Sequence, residues 1–145
     1  MTYNMKKIFL ILLITVLTKN INAQSGVPDT LAYLNTIVAD KANYIGQPFS
    51  VLFNSLQIQT KYFHPIRAVV YNKNKETSTS FAFYYPQDGL DDMYLTYPCL
   101  NVYWQTPLDA TQSDSIWENN NGGGWNTTAY NFYKNAIISD IKVRE

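Results

Sequence analysis

The sequence predicts an α+β domain. Two N-terminal helical segments pack on one face of a mainly antiparallel sheet of about five strands. A long polar loop then precedes a short helix and a C-terminal strand. Three observations carry this expectation. Apolar residues recur at helical spacing up to Leu56 and alternate with polar ones afterwards. The helices come first and the strands cluster after them, instead of alternating. The region expected to form strands is rich in β-branched and aromatic residues.

Asp29 or Thr30 is placed to cap the first helix, just after Pro28. Leu31, Leu34, Ile37, Val38 and Lys41 follow at helical spacing, with Tyr44 and Ile45 closing the stripe and Gly46 fitting its stop. Pro48 opens a second, shorter helix with apolar Phe49, Val51, Leu52, Phe53 and Leu56. Ile58, Thr60 and Tyr62 then alternate with Gln57, Gln59 and Lys61, a strand with one wet face. Pro65 interrupts it, and Ala68–Tyr71 make a second short strand. The polar cluster 72–76 turns the chain into a third strand, Thr77–Tyr85, so a hairpin is expected there. Pro86 ends that strand, and 87–92 is an acidic turn. A strand over Leu100–Trp104 stops before Pro107. Residues 108–124 are polar and end in three glycines, which lose much backbone entropy when ordered, so a flexible loop is expected. A short helix capped at Asn126 covers Trp125–Lys134, and Ile137, Ile141 and Val143 mark the closing strand. The helices are expected to cover one sheet face and leave Gln57, Gln59, Lys61, Tyr84 and Tyr103 on the other.

The N-terminus predicts export. Lys6 and Lys7 precede an apolar run from Ile8 to Leu17, and Ala23 offers a small residue for cleavage. The run is too short to span a bilayer, which needs ~20 residues. Residues 1–23 are thus read as a cleaved signal peptide and 24–145 as a single small domain, with no stable membrane insertion afterwards. Removal of 1–23 takes Lys6, Lys7 and Lys19 and no acid, leaving 8 basic against 11 acidic residues, a net charge of −3. Such a domain has no basic cluster for nucleic acid or an anionic membrane surface. The expected location is secreted or periplasmic.

Catalytic and metal signals are sparse. Cys99 is the only cysteine, so no disulfide forms within the chain, and its apolar neighbours suggest a small buried hydrophobe. His64 is the only histidine and lies in a Phe63-His64-Pro65 break. No Gly-x-Ser-x-Gly elbow, zinc motif, phosphate-binding loop or dinucleotide fingerprint occurs. Asp88, Asp91 and Asp92 do not follow an EF-hand spacing. No cofactor, metal site or catalytic residue is assigned.

Aromatic content is the unusual feature: twelve Tyr, seven Phe and three Trp make 15% of the chain. Tyr and Trp combine an apolar face with a polar edge, which suits sugar stacking and protein interfaces. Trp117 and Trp125 flank the run from Asn119 to Gly124, and with Tyr94, Tyr97 and Asn120 they are the candidate binding residues. The leading expectation is a non-enzymatic exported binding domain. It would recognise a protein or glycan outside the cytoplasm through aromatic-rich loops, as an inhibitor or immunity-type protein does. One alternative is a small secreted hydrolase acting on polysaccharide or peptidoglycan. It would pair a carboxylate of Asp88, Asp91 or Asp92 with one of Asp109, Asp114 or Glu118. Another is an accessory subunit of an envelope assembly. Asn126-Thr127-Thr128 also matches a glycosylation acceptor.

Overall fold

The computed structural model describes residues 29–68, 72–84 and 97–145. Helix α1 spans Thr30–Ala39 and is capped by Asp29, whose carboxylate accepts the Ala32 N–H at 3.0 Å. Leu34 and Ile37, one turn apart, are its buried residues. A 3-10 turn at Lys41–Asn43 follows, and Gly46 reverses the chain at φ +79°. Helix α2, Phe49–Ser55, begins after Pro48 and buries Phe49 and Leu52. The approach to α2 is stitched to the C-terminal strand. Gly46 N–H donates to Ile138 O at 2.8 Å, and Ile138 N–H to Gln47 O at 3.0 Å.

Four strands are found among the described residues, against the expected five or so. They are β1 (Tyr62–Arg67), β2 (Lys75–Ala82), β3 (Cys99–Asp109) and β4 (Ile138–Arg144), ordered β1-β2-β3-β4 with every neighbour antiparallel. The strands expected at 57–62 and 68–71 reduce to β1 alone, with 69–71 outside the described residues. Pro65 does not interrupt β1; it sits inside it, opposite Thr79. It is tolerated because β1 is an edge strand, where a missing outward N–H costs no ladder bond. The β1–β2 hairpin is present. Lys75 N–H donates to Asn72 O, and Ala68 N–H to Lys75 O, both at 3.0 Å. Strand β3 runs through Pro107. Its register with β2 jumps there, from Tyr103 opposite Ser78 to Leu108 opposite Glu76.

The expected long polar loop is mostly a helix. Asp109 caps α3, Ala110–Asn119, by accepting the Gln112 N–H at 3.0 Å. Only a thin stripe of α3 turns inward, with Ala110 and Ser113 buried and Ile116 and Trp117 packed against the core. The glycine run is not a flexible loop either. Asn121, Gly122 and Gly123 take φ of 52°, 76° and 98°, three left-handed residues in succession. The turn docks along the free edge of β1. Phe63 N–H donates to Gly123 O, and Trp125 N–H to Lys61 O, both at 2.9 Å. Helix α4, Thr127–Tyr133, is capped by Asn126, which accepts the Ala129 N–H at 3.0 Å.

The helices and one sheet face share a single core. Its centre is aromatic. Fully buried Tyr133 stacks on Trp104 at 5.7 Å and meets the edges of Phe63 at 5.6 Å and Phe81 at 5.8 Å. Each such pair adds ~0.5–1.5 kcal/mol beyond area burial.

Gly123 is where the glycine run is indispensable. A Cβ there would lie 2.4 Å from Phe63 O and 2.5 Å from Trp117 Nε1, whereas one on Gly46 meets nothing within 4 Å. Gly123→Ala is expected to destabilise the fold by about 3 kcal/mol or more, combining steric conflict with left-handed strain. Gly46→Ala carries only the left-handed term, about 1 kcal/mol. Urea unfolding of the two variants checks the difference.

Candidate functional site

The five sequence-predicted binding residues do not form one surface among the described residues. Trp125 belongs to the core. Its ring centroid lies 5.5 Å from Phe81, 5.8 Å from Phe63 and 6.2 Å from Tyr133. Asn120 works locally, its side-chain oxygen accepting from Asn126 Nδ2 at 2.7 Å to brace the turn. Tyr97 stacks on Tyr84 at 5.0 Å. Tyr94, with Asp88, Asp91 and Asp92, lies outside the described residues. Trp117, by contrast, stands in a cleft.

That cleft, about 400 Å³, opens between β1 and α3. His64, Pro65 and Arg67 line it from β1, and Asp114, Trp117 and Glu118 from α3. The α3 residues lie at i, i+3 and i+4, the spacing that brings side chains onto one helical face. Arg67 and Asp114 form an ion pair across the cleft, tying its two walls together. The His64 ring meets Trp117 edge-on, with centroids 6.1 Å apart at 76°. Behind Trp117, Gly123 packs against the Nε1 edge of the indole so closely that a Cβ there would lie 2.5 Å from it. Gly123 N–H also donates to Trp117 O at 3.0 Å. Burial, then the positive charge of Arg144, holds the His64 imidazole below its usual range, so it is neutral at pH 7. The cleft thus offers an aromatic wall, a neutral imidazole, one guanidinium and two carboxylates, with formal charge −1.

His64, Asp114 and Glu118 are each visible in the sequence as candidates, but not as neighbours, and Arg67 carries no signal of its own. The i, i+3, i+4 pattern from 114 to 118 becomes informative only once α3 is recognised as a helix. Asn126 cannot accept a glycan without loss. Both ends of its side-chain amide are engaged, one capping α4 and the other held by Asn120.

A second polar group lies deeper. Glu76 is fully buried on β2. The Tyr133 hydroxyl donates to its carboxylate at 3.1 and 3.2 Å, and Thr79 donates to it as well. Trp104 Nε1–H in turn donates to Thr79 Oγ1 at 3.0 Å, while the nearby Ser113 hydroxyl of α3 donates to Ala110 O at 3.2 Å. Burial pushes the Glu76 carboxyl above its ordinary range, opposed only in part by these neutral donors. Cys99 is buried, and burial pushes its thiol up too. Among the described residues, no three His, Cys, Asp or Glu side chains group to hold a metal ion. Nor is any helix there long and apolar enough to cross a membrane.

A carboxyl whose folded pKa is raised contributes stability that is full below its unfolded pKa and is lost as pH rises through the folded one. Glu76→Gln removes this dependence while keeping an oxygen for Tyr133 and Thr79. The variant is expected to match the wild type near pH 4 and to be the more stable protein at pH 8, measured by thermal melts across that range. Glu76→Ala, which strands the Tyr133 hydroxyl, is expected to lose about 1–3 kcal/mol at both ends.

No protein-family model, no curated protein and no solved structure matches this chain.

Proposed function

We propose that this protein is an exported, non-enzymatic binding domain for a protein or glycan partner, and that the β1–α3 cleft is its recognition surface. The observation that carries the reading is the mounting of Trp117. It forms a wall of a concave, charged cleft and is held from behind by a glycine that no other residue could replace. A rigid aromatic in a pocket is the usual anchor of a binding site, because little conformational entropy is lost when the partner docks. The basic Lys6-Lys7 pair, the apolar run and Ala23 support export.

Hydrolysis is less well supported by the same geometry. Glycoside cleavage uses two carboxylates on opposite sides of the scissile bond. Asp114 and Glu118 instead stand one turn apart on one wall, and Asp114 is engaged by Arg67.

The two tryptophans should separate function from stability. Trp117→Ala is expected to weaken partner binding by about 2 kcal/mol, roughly 30-fold. Trp125→Ala should lower fold stability by about 3 kcal/mol and leave the affinity of the folded fraction unchanged. Calorimetric titration with a partner enriched from the protein's own extracytoplasmic fraction measures the first, and denaturant unfolding the second. A folded Trp117→Ala protein with wild-type affinity rules out the cleft as the binding surface.

A further inference from the structure

Resting on that reading, we infer that the ligand of the β1–α3 cleft is a neutral glycan, with one sugar ring seated against Trp117 between Arg67 and Glu118. The size is suitable: about 400 Å³ lies at the small end of the ~300–1,000 Å³ range of ligand clefts. The lining narrows the chemistry. Apart from Trp117 and Pro65 every lining side chain is polar, and no Leu, Ile, Val or Met lines it. The cleft therefore gives no apolar socket to a leucine or phenylalanine anchor, or to an acyl chain.

Charge narrows it further. Arg67 is already balanced by Asp114, and Glu118 adds an acid that no second cation of the cleft lining balances. A phosphate, sulfate or uronate would meet Glu118 and gain the guanidinium only by displacing Asp114. A lysine or arginine side chain would meet the Arg67 guanidinium. A neutral ligand meets neither penalty. It must still satisfy a mixture of donors and acceptors, since Arg67 presents N–H groups beyond those that Asp114 takes, and the carboxylates present only lone pairs. Adjacent sugar hydroxyls do both: one donates to a carboxylate while its neighbour accepts from the guanidinium. The apolar face of the ring covers the indole.

The test uses the full chain, so that any processing occurs. It is screened against arrayed neutral oligosaccharides, sulfated and uronate-bearing oligosaccharides, and basic and acidic peptides, with calorimetry on each hit. The expected result is binding to a neutral oligosaccharide that changes little between about 50 and about 500 mM salt, because no ion pair is formed. It should weaken about tenfold or more in Trp117→Ala and in Glu118→Ala. Glu118 is exposed, so its variant folds even where Trp117→Ala does not. Binding only to charged glycans or peptides, lost in the same variants, overturns the neutral-sugar assignment and leaves the cleft as the recognition surface. Neutral-sugar binding that neither variant weakens overturns both. Absence of binding to every neutral oligosaccharide overturns the sugar assignment.

Discussion

The hydroxyl of Tyr133 on the carboxylate of Glu76 is the bond on which the interior depends. Tyr133 is fully buried, and its hydroxyl requires a partner inside the protein. Glu76 supplies it, then reaches Trp104 through Thr79. One polar cluster thereby joins β2, β3 and α4. With a single cysteine, nothing covalent substitutes for it. An apolar core of the same shape would be as stable, or more so. The cluster instead specifies one arrangement of the aromatic rings, because any other leaves a buried hydroxyl or carboxyl without a bond.

The cleft inherits its rigidity from that arrangement. Helix α3 is tied to the β1–β2 turn by Ala110 N–H at Asn74 O, to β1 by Asp114 at Arg67, and to the edge of β1 by the glycine turn that follows it. Three independent attachments fix the wall that carries Trp117 and Glu118. A surface held this way loses little freedom when it binds, which is how a small cleft can reach useful affinity.

Much of the scaffold was legible in the sequence. The caps at Asp29 and Asn126, the β1–β2 hairpin and the closing strand all follow from local chemistry, which acts within a few residues; the first helix, expected to run on to a stop at Gly46, instead ends at Ala39 and gives way to a 3-10 turn at Lys41–Asn43. The failures share a cause. Helix α3 has a polar sequence, and its inward stripe of Ala110, Ser113, Ile116 and Trp117 is too thin to outweigh the serines and glutamine around it. Pro65 reads as a break unless its strand is known to lie at the edge of the sheet. The glycine run reads as flexible because its order comes entirely from β1, some sixty residues earlier in the chain. Glu76 reads as a solvated turn residue because nothing nearby in sequence announces the hydroxyls that surround it. Of the candidate site, Trp117 was visible as a residue. Its companions His64, Arg67 and Glu118 became a site only when β1 and α3 met.

The docking of the glycine turn on β1 also has a kinetic side. The four strands follow one another in space as they do in sequence, and β1 and β2 are joined by a short turn, whereas two helices lie between β3 and β4. The edge of β1 is different: it stays open until Gly123 and Gly124 close a long loop to reach it. During that interval an unpaired strand faces the surrounding solution, the condition in which two molecules can pair edge to edge. Pro65 lies in the middle of this strand and withholds one amide from any such pairing. The residue that looks like an interruption in the sequence thus leaves the open edge one donor short for pairing with another strand.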